Sequence, residues 1–283
     1  MNITVSANAK INLFLDITGK RPDGYHNISS VMHSLDLHDS INLSSNNTGE
    51  ITITSTHPYI PKDERNIAYK AAAKFLSEIN SQKGVSINIV KRIPIGGGLG
   101  GSSTDGAAVL QGLNYIFGKP FSEEELIKIG ASLSADIPFC LKKGAALCEG
   151  IGEILTPLPT FTCCYVAIIN PRFSLNTKMM YERYDNETDV SHPSPASMMD
   201  ALKNNSVEDA AKCLYNAFEP PAISINSAIG AFKERLLAEG AKGALMSGSG
   251  SCVYGLFDNQ SACMAVCEKL SSEKIYAVSA RVI

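Results

Sequence analysis

The sequence lacks any surplus of positive charge. Its 283 residues include 25 lysines and arginines against 28 aspartates and glutamates, which gives a net charge of −3. A domain that binds nucleic acid or an anionic membrane usually carries a basic patch that shows in its composition. We therefore expect small-molecule partners, with no nucleic acid and no membrane among them.

Long apolar runs and paired cysteine motifs are also missing. No stretch reaches the roughly 18 consecutive apolar residues that span a bilayer, and the opening residues lack the basic and apolar regions of a signal peptide. The eight cysteines form no Cys-x-x-Cys pair and lie mostly in apolar runs, which is typical of reduced core residues. These absences predict a cytoplasmic protein.

The remaining composition is that of an ordinary globular protein, with 45% hydrophobic and 19% charged residues. Strand and helix patterns mix without regular βαβ alternation, which predicts an α+β fold. Proline becomes dense near residues 155–160, so we expect two domains, 1–157 and 158–283. In the second half the patterns predict helices at 196–203, 206–218, 224–239 and 259–270, and strands at 244–247, 252–257 and 274–282.

A burst of glycine at residues 96–101 is the most informative segment. It follows the alternating strand pattern of Val85, Ile87 and Ile89 and precedes a helical pattern that includes Leu113. Such a loop brings backbone N–H groups and the positive end of a helix to one point, which suits a phosphate. A tight turn needing positive φ is the alternative, but five glycines in six residues exceed what a turn requires.

Three familiar phosphate-binding motifs do not fit this loop. Gly96, Gly98 and Gly101 match G-x-G-x-x-G, but two helical patterns occupy residues 107–133, where a dinucleotide fold needs a second parallel strand with an acidic residue. No Lys-Ser or Lys-Thr follows the last glycine, as a Walker A loop requires. The H-R-D and D-F-G motifs of protein kinases are absent from the sequence.

The segment at residues 94–103, Pro-Ile-Gly-Gly-Gly-Leu-Gly-Gly-Ser-Ser, resembles the phosphate loop of the GHMP kinases. Residues 9–15, 21–26 and 135–139 are similar to the branch of that family that serves the non-mevalonate route to isoprenoid precursors, and residues 246–251 resemble the family's third motif. The resemblance implies a ribosomal S5 domain 2-like N-terminal domain and a ferredoxin-like C-terminal domain, with the active site in the cleft between them. It also implies transfer of the ATP γ-phosphoryl group to a 2-hydroxyl of a cytidyl substrate.

The resemblance implies that Asp136 is the catalytic base and that Lys10 is its cationic partner. Without it, Asp136 reads as the N-cap of the helix that begins at Ile137-Pro138, because capping is the commoner use of aspartate there. Lys10 would by default be a surface lysine whose stem lies on an apolar strand while its ammonium reaches water. An ammonium close to a carboxylate would keep that carboxylate ionised.

The resemblance assigns ATP binding to the glycine-rich loop and to one residue outside it. Where the family usually has G-L-G-G-G-S-S-D-A, this chain has G-L-G-G-S-S-T-D-G, so three hydroxyls compete for the phosphate or metal contact. Mg²⁺ is expected with ATP, its ligands left open, and the histidines show no metal-ligand spacing. Asn66 matches a position near adenine, although an N-cap is an equal alternative. The assigned residues are Asn66, Pro94, Ile95, Gly96, Gly97, Gly98, Leu99, Gly100, Gly101, Ser102, Ser103 and Thr104.

Five residues match the family's substrate-binding positions. The resemblance implies that Tyr25 and Tyr181 stack on the two faces of cytosine and that His26 hydrogen-bonds the base edge. Asn12 and Thr177 would contact the sugar alcohol or the diphosphate. Without the family, Tyr25 and His26 would be a half-buried aromatic residue and a surface histidine.

Two other functions compete with this interpretation. One is a GHMP kinase for another alcohol, such as mevalonate or homoserine. A small aliphatic acid of that kind has no use for an aromatic clamp, which argues against this alternative. A catalytically inactive relative that acts as a binding protein is the other. Because Lys10 and Asp136 are both present, the simplest sign of lost activity is missing.

Overall fold

The computed structural model describes residues 1–188 and 190–283, and the chain divides into two compact units. The units interleave along the sequence because two long strands, β1 (Asn2–Lys20) and β2 (His26–Asn46), contribute residues to both. Unit 1 contains Met1–Ala9, His38–Ile93 and Gly100–Lys143, and unit 2 contains Lys10–Leu37, Pro94–Leu99 and Gly144–Ile283. The domain limits of 1–157 and 158–283 stay a prediction.

Unit 1 combines a mixed sheet with four helices. Its further elements are β3 (Ile51–Ser55), α1 (Ile67–Glu78), β4 (Gly84–Val90), α2 (Gly101–Ile116), α3 (Glu123–Ala131) and α4 (Ile137–Lys142). Strand β4 runs antiparallel to the second half of β2, with Val90 opposite Ser40, and parallel to β3. The alternating residues of β4 are buried with Phe75 of α1 and Leu113 of α2 in one hydrophobic core. Burial of this apolar face is what holds the helices on the sheet.

Unit 2 contains the remaining elements: β5 (Ala145–Glu149), β6 (Ile154–Leu158), β7 (Tyr165–Ile169), α5 (Thr177–Tyr184), α6 (Ala196–Lys203), α7 (Val207–Lys212), β8 (Tyr215–Asn216), α8 (Glu219–Ile225), α9 (Ala228–Ala238), β9 (Gly243–Met246), β10 (Val253–Phe257), α10 (Gln260–Ser272) and β11 (Ala277–Arg281). Strands β5 and β6 form a hairpin that pairs with the first half of β2. A separate four-stranded antiparallel sheet has the order β11-β7-β10-β9. If the four strands of this sheet are numbered along the chain, their order across the sheet is 4-1-3-2, with two crossover connections. That is the ferredoxin-like arrangement that the family resemblance implies. The α+β fold class is confirmed.

Two helices of the second half are shorter than their sequence patterns predict. The predicted helix 206–218 ends at Lys212, and Tyr215 and Asn216 instead pair in parallel with Phe14 and Leu15 of β1. The predicted helix 224–239 begins at Ala228, because Asn226 is extended and its side chain accepts a hydrogen bond from the N–H of Ala228. A helical pattern of apolar residues does not reveal such short interruptions. Within the described residues, no helix is both long and apolar enough to cross a membrane.

Stability should depend on the buried imidazole of His33. Its Nδ1–H donates to the carbonyl of Ser34 (3.1 Å) and its Nε2 accepts from the N–H of Phe161 (3.4 Å). Burial lowers the pKa of His33 from 6.5 to about 4, so the unfolded chain takes up a proton first as the pH falls. As the pH falls from 6.5 to about 4, we expect His33 to lower the free energy of unfolding by about 1.4 kcal/mol per pH unit. Above pH 6.5 His33 should cause no such loss.

Urea unfolding of the wild type and of His33→Gln at pH 7 and pH 5 measures this contribution. The glutamine variant keeps a donor and an acceptor but has no titrating group, so its stability should fall less between the two pH values. Equal falls in both proteins would show that His33 does not carry the effect.

Candidate active site

The glycine-rich loop connects β4 to α2, as the sequence predicts. Gly96, Gly98 and Gly100 have φ angles of 67°, 77° and 72°, in the left-handed region that favours glycine. Gly100 is the N-cap of α2, and the first helical hydrogen bond runs from the N–H of Thr104 to the carbonyl of Gly100 (2.9 Å). The N–H groups of residues 101–103 precede that bond, which makes the start of α2 an anion-binding end.

The loop touches the glycine turn at residues 246–251 within unit 2. The Ser247 hydroxyl donates to the carbonyl of Gly98 (3.0 Å), and the N–H of Cys252 donates to the carbonyl of Gly97 (3.1 Å). A Cβ on Gly98 would lie 1.9 Å from the Ser247 carbonyl oxygen, and one on Gly97 would lie 2.2 Å from the Cys252 Sγ. Close backbone approach therefore requires glycine at both positions, and it joins two motifs that are about 150 residues apart in sequence.

Lys10 lies beside these two glycine segments. Its backbone N–H donates to the carbonyl of Leu99 (3.1 Å), and its Nζ donates to the Oδ1 of Asn12 (2.7 Å). A Cβ on Gly248 would lie 3.4 Å from both the Lys10 Nζ and the Asn12 Oδ1. Lys10 is only 5% exposed, so the alternative of a surface lysine with its ammonium in water is wrong.

A chain of buried hydrogen bonds orients the Asn12 amide. Its Nδ2 donates to the Oγ of Ser30 (2.8 Å), which in turn donates to the carbonyl of Phe14 (2.7 Å). The Tyr254 hydroxyl donates to the backbone carbonyl of Asn12 (2.7 Å). Because Nδ2 is held by Ser30, the Oδ1 atom faces the Lys10 ammonium. Neither Ser30 nor Tyr254 stands out in the sequence, since each is one small or aromatic residue in a strand pattern.

The three hydroxyls at the start of α2 have different surroundings. Thr104 is buried and donates to the carbonyl of Asn8 (2.8 Å). The Ser103 Oγ lies 3.0 Å from the Oγ of Ser134. Ser102, the second residue of α2, is exposed. Of these three hydroxyls, that of Ser102 is therefore the one most available to a phosphate or to its metal ion.

The two residues for which capping was an alternative behave differently. Asp136 is at the N-cap position of α4 in unit 1, but its side chain makes no capping hydrogen bond. Asn66 does cap α1, since its Oδ1 accepts from the N–H of Ala68 (2.9 Å) and its Nδ2 donates to the carbonyl of Pro61 (2.8 Å). Capping therefore accounts for Asn66 and not for Asp136, and the adenine contact of Asn66 stays a prediction.

The structure brings two of the predicted base-binding residues together. The rings of His26 and Tyr181 are stacked, with their centroids 4.6 Å apart. The His26 Nε2 lies 2.6 Å from the Oδ1 of Asp185, whose Oδ2 lies 2.5 Å from the Nζ of Lys20. Hydrogen bonding by Lys20 and then by His26 lowers the pKa of Asp185. Tyr25, by contrast, is 62% exposed and contributes an open aromatic face to the turn before His26.

Thr177 begins α5 and contacts the 246–251 turn, because its Oγ1 lies 2.9 Å from the Oγ of Ser249. The same turn is held from the other side by Asn216, whose Nδ2 donates to the carbonyls of Met246 and Gly248, each at 2.8 Å. Asn216 falls in the segment where the sequence pattern predicts a helix. Its role in shaping the turn therefore has no signal in the sequence. The contact of Asp185 with His26 has no signal in the sequence either.

Comparison with known proteins gives a consistent result. The sequence profile described as "GHMP kinases N terminal domain" matches residues 66–144, and "GHMP kinases C terminal" matches residues 198–276. Proteins named 4-diphosphocytidyl-2-C-methyl-D-erythritol kinase are similar over most of the chain. The one from Lachnoclostridium phytofermentans is 42% identical over 92% of this chain and 89% of its own length, and that from Clostridium acetobutylicum is 41% identical over 91% of each.

Solved structures agree with the sequence comparison. A crystal structure of 4-(cytidine 5'-diphospho)-2C-methyl-D-erythritol kinase superposes with a TM-score of 0.82 at 28% identity, covering 99% of both chains. The homoserine kinase from Cytophaga hutchinsonii superposes with a TM-score of 0.77 at 20% identity, covering 100% of this chain and 97% of that one. The second match concerns the fold alone.

Proposed function

This chain belongs to the GHMP kinase family, and we propose that it transfers the γ-phosphoryl group of ATP to the 2-hydroxyl of 4-diphosphocytidyl-2-C-methyl-D-erythritol. The product is the 2-phosphate, an intermediate of the non-mevalonate route to isoprenoid precursors. The observation that carries the chemistry is the buried Lys10, whose ammonium lies beside Gly248 and whose backbone N–H donates to the carbonyl of Leu99 in the glycine-rich loop. Three segments that are distant in sequence place a fixed positive charge next to a phosphate loop.

Phosphoryl transfer to an alcohol depends mainly on positioning and on neutralising charge. The N–H groups at the start of α2 bind triphosphate oxygens, and the left-handed glycines allow the backbone to approach them. The Lys10 ammonium neutralises charge that develops on the transferring phosphoryl group. Asn12 fixes the position of that ammonium through its Oδ1, which Ser30 orients.

Asp136 accepts the proton of the attacking hydroxyl in this proposal. A general base must present a carboxylate oxygen to the substrate hydroxyl. The side chain of Asp136 makes no capping bond to α4, so capping does not account for this residue.

Kinases of this kind use ATP with Mg²⁺, so the residues present should fit that ion. Within residues 1–188 and 190–283, no three His, Cys, Asp or Glu side chains form a metal-binding group. Mg²⁺ on a nucleotide is held mostly by phosphate oxygens and water and needs only one or two oxygens from the protein. The exposed Ser102 hydroxyl fits that role, and the bound ion would neutralise charge on the phosphate oxygens.

The surroundings of His26 support a cytosine site. In the neutral imidazole the proton lies on Nε2, because Nε2 faces the Asp185 carboxylate, and Nδ1 then carries a lone pair. An acceptor at Nδ1 suits the amino group of cytosine and not the corresponding carbonyl of uracil. The ring of Tyr181 stacks on that of His26, and the exposed Tyr25 directly precedes His26 in the chain.

Replacing Tyr25 by alanine should raise the KM for the cytidyl substrate by roughly 5- to 150-fold, because stacking a base on an aromatic ring contributes about 1–3 kcal/mol. The KM for ATP should hardly change. Steady-state kinetics with each substrate varied in turn measures the effect. Tyr59→Ala removes another exposed tyrosine and serves as the control. An equal loss for ATP and for the cytidyl substrate would contradict the assignment of Tyr25 to cytosine.

The proposed function is tested by a coupled ATPase assay with the cytidyl substrate, mevalonate and homoserine in parallel. We expect turnover with the cytidyl substrate and little with the two small acids. Preferred turnover of mevalonate or homoserine would identify a different GHMP kinase. Absence of turnover with all three, in protein that binds ATP, would identify a binding protein.

A further inference from the structure

Unit 1 contains a buried cluster of three charged side chains that the proposed reaction does not use. The Lys91 Nζ contacts the Oδ2 of Asp39 and lies 2.9 Å from the Oδ2 of Asp105. The side chains of Lys91, Asp39 and Asp105 are 5%, 0% and 4% exposed. Burying charged groups is costly even when they are paired, so such a cluster is weak support for stability and calls for another role.

The cluster holds the chain on both sides of the glycine-rich loop. On the first side, the Oδ1 of Asp39 accepts from the N–H groups of Arg92 (2.5 Å) and Ile93 (2.9 Å). These two residues directly precede Pro94, where the phosphate-loop segment begins. On the second side, Asp105 is the fifth residue of α2. The Lys91 ammonium joins the two sides, and it lies 3.5 Å from the position that a Cβ on Gly101 would take.

We propose that Asp39, Lys91 and Asp105 are positioning residues for the phosphate-binding loop, and that the net charge of their cluster sets the affinity for ATP. The inference rests on the proposed function only in that the loop binds ATP. The hydrogen bonds that Asp39 accepts fix where the loop begins, and the Lys91–Asp105 contact fixes where α2 begins. The loop N–H groups can then converge on the triphosphate without further ordering.

The charge of the cluster follows from its composition. Two carboxyl groups share one ammonium, and the Oδ1 of Asp105 is buried without a hydrogen-bond partner. The charged groups that face Asp105 are Lys91, after β4, and Asp39, on β2. Burial raises the pKa of Asp105 to about 7, in spite of the nearby Lys91 ammonium. The cluster is therefore neutral below that pH and carries one negative charge above it.

A negative charge in the first turns of α2 opposes a triphosphate at the start of the same helix. Protonation of Asp105 removes that charge, so ATP should bind more weakly as the pH rises from 6 to 8.5. One buried charge acting across roughly 10 Å should change the Kd for ATP by about fivefold over that range. Asp105→Asn has the shape of the protonated residue and does not titrate, so its Kd should stay constant and close to the wild-type value at pH 6.

The positioning role is separated from the charge by variants of Asp39. Asp39→Ala removes the acceptor of two backbone N–H groups, and we expect the Kd for ATP to rise tenfold or more while the Kd for the cytidyl substrate changes little. Asp39→Asn retains an acceptor oxygen and should restore most of the affinity, which also covers the case in which the alanine variant folds poorly. Glu123→Gln removes a charge from an exposed ion pair of the same unit and is the control.

Calorimetric titration of the full chain with a non-hydrolysable ATP analogue and excess Mg²⁺, from pH 6 to 8.5, tests the inference without requiring turnover. We expect the Kd to depend on pH in the wild type and in Glu123→Gln, and to stay constant in Asp105→Asn. We also expect weak binding in Asp39→Ala and a Kd near that of the wild type in Asp39→Asn. The inference is overturned if Asp105→Asn keeps the wild-type pH dependence, or if the Asp39 variants lower only the melting temperature. Failure of the proposed function would appear separately, as lack of phosphoryl transfer to the cytidyl substrate.

Discussion

Replacing Asp136 by asparagine is expected to lower kcat by roughly 10² or more, because the amide has the shape of the carboxylate but cannot take the proton of the attacking hydroxyl. The KM values for ATP and for the cytidyl substrate should change little. The melting temperature tests the capping alternative separately, and the Asp136 side chain makes no capping bond to α4.

Ser122→Ala is the matched control for that prediction. The Ser122 side chain caps α3 by accepting from the N–H of Glu125, so its loss should reduce the free energy of unfolding by about 1 kcal/mol with little effect on the chemical step. Steady-state kinetics and thermal melting of both variants separate catalysis from capping. If Asp136→Asn lost stability and retained kcat, the residue would be a structural cap and the base would have to be sought elsewhere.

Gly98→Ala should weaken ATP binding by tenfold or more. The new Cβ would lie 1.9 Å from the carbonyl oxygen of Ser247, and the backbone at this position has a φ of +77° that an alanine rarely adopts. The loop would have to move away from the 246–251 turn, and its N–H groups would move with it. Titration with a non-hydrolysable ATP analogue measures the loss.

Gly118→Ala separates the steric clash from the backbone strain. Gly118 has a φ of +80°, but a Cβ there meets nothing within 4 Å. The control variant should therefore lose some stability and keep the affinity of the wild type for ATP. Equal affinities for Gly98→Ala and the wild type would show that contact between the loop and the turn is not needed for nucleotide binding.

The sequence predicts those parts of the site that depend on local patterns. Glycines between a strand pattern and a helix pattern are enough to predict an anion-binding loop at residues 96–101, and the structure has β4, the loop and α2 in that order. Local pattern also locates Asn66 at the start of its helix. For Asp136 the local pattern alone favours an N-cap, the family resemblance implies the base, and the structure has no capping bond from this side chain.

Contacts between distant segments have no local signal. The approach of Gly98 to Ser247 and the cluster of Asp39 with Lys91 and Asp105 depend on how the strands pair, which one sequence does not reveal. The two-residue strand at Tyr215 is a further case. Its residues fit the helical pattern of their neighbours, and pairing with β1 overrides that local preference.

The phosphorus-31 NMR spectrum of the product tests the central claim most directly. The protein would be incubated with ATP, Mg²⁺ and 4-diphosphocytidyl-2-C-methyl-D-erythritol. Carbon 2 of this substrate carries the methyl group and no hydrogen, so a phosphate on the 2-hydroxyl should give a new phosphomonoester signal without three-bond coupling to a proton. A signal split by neighbouring protons, or no new phosphomonoester while ATP is consumed, would contradict the proposed reaction.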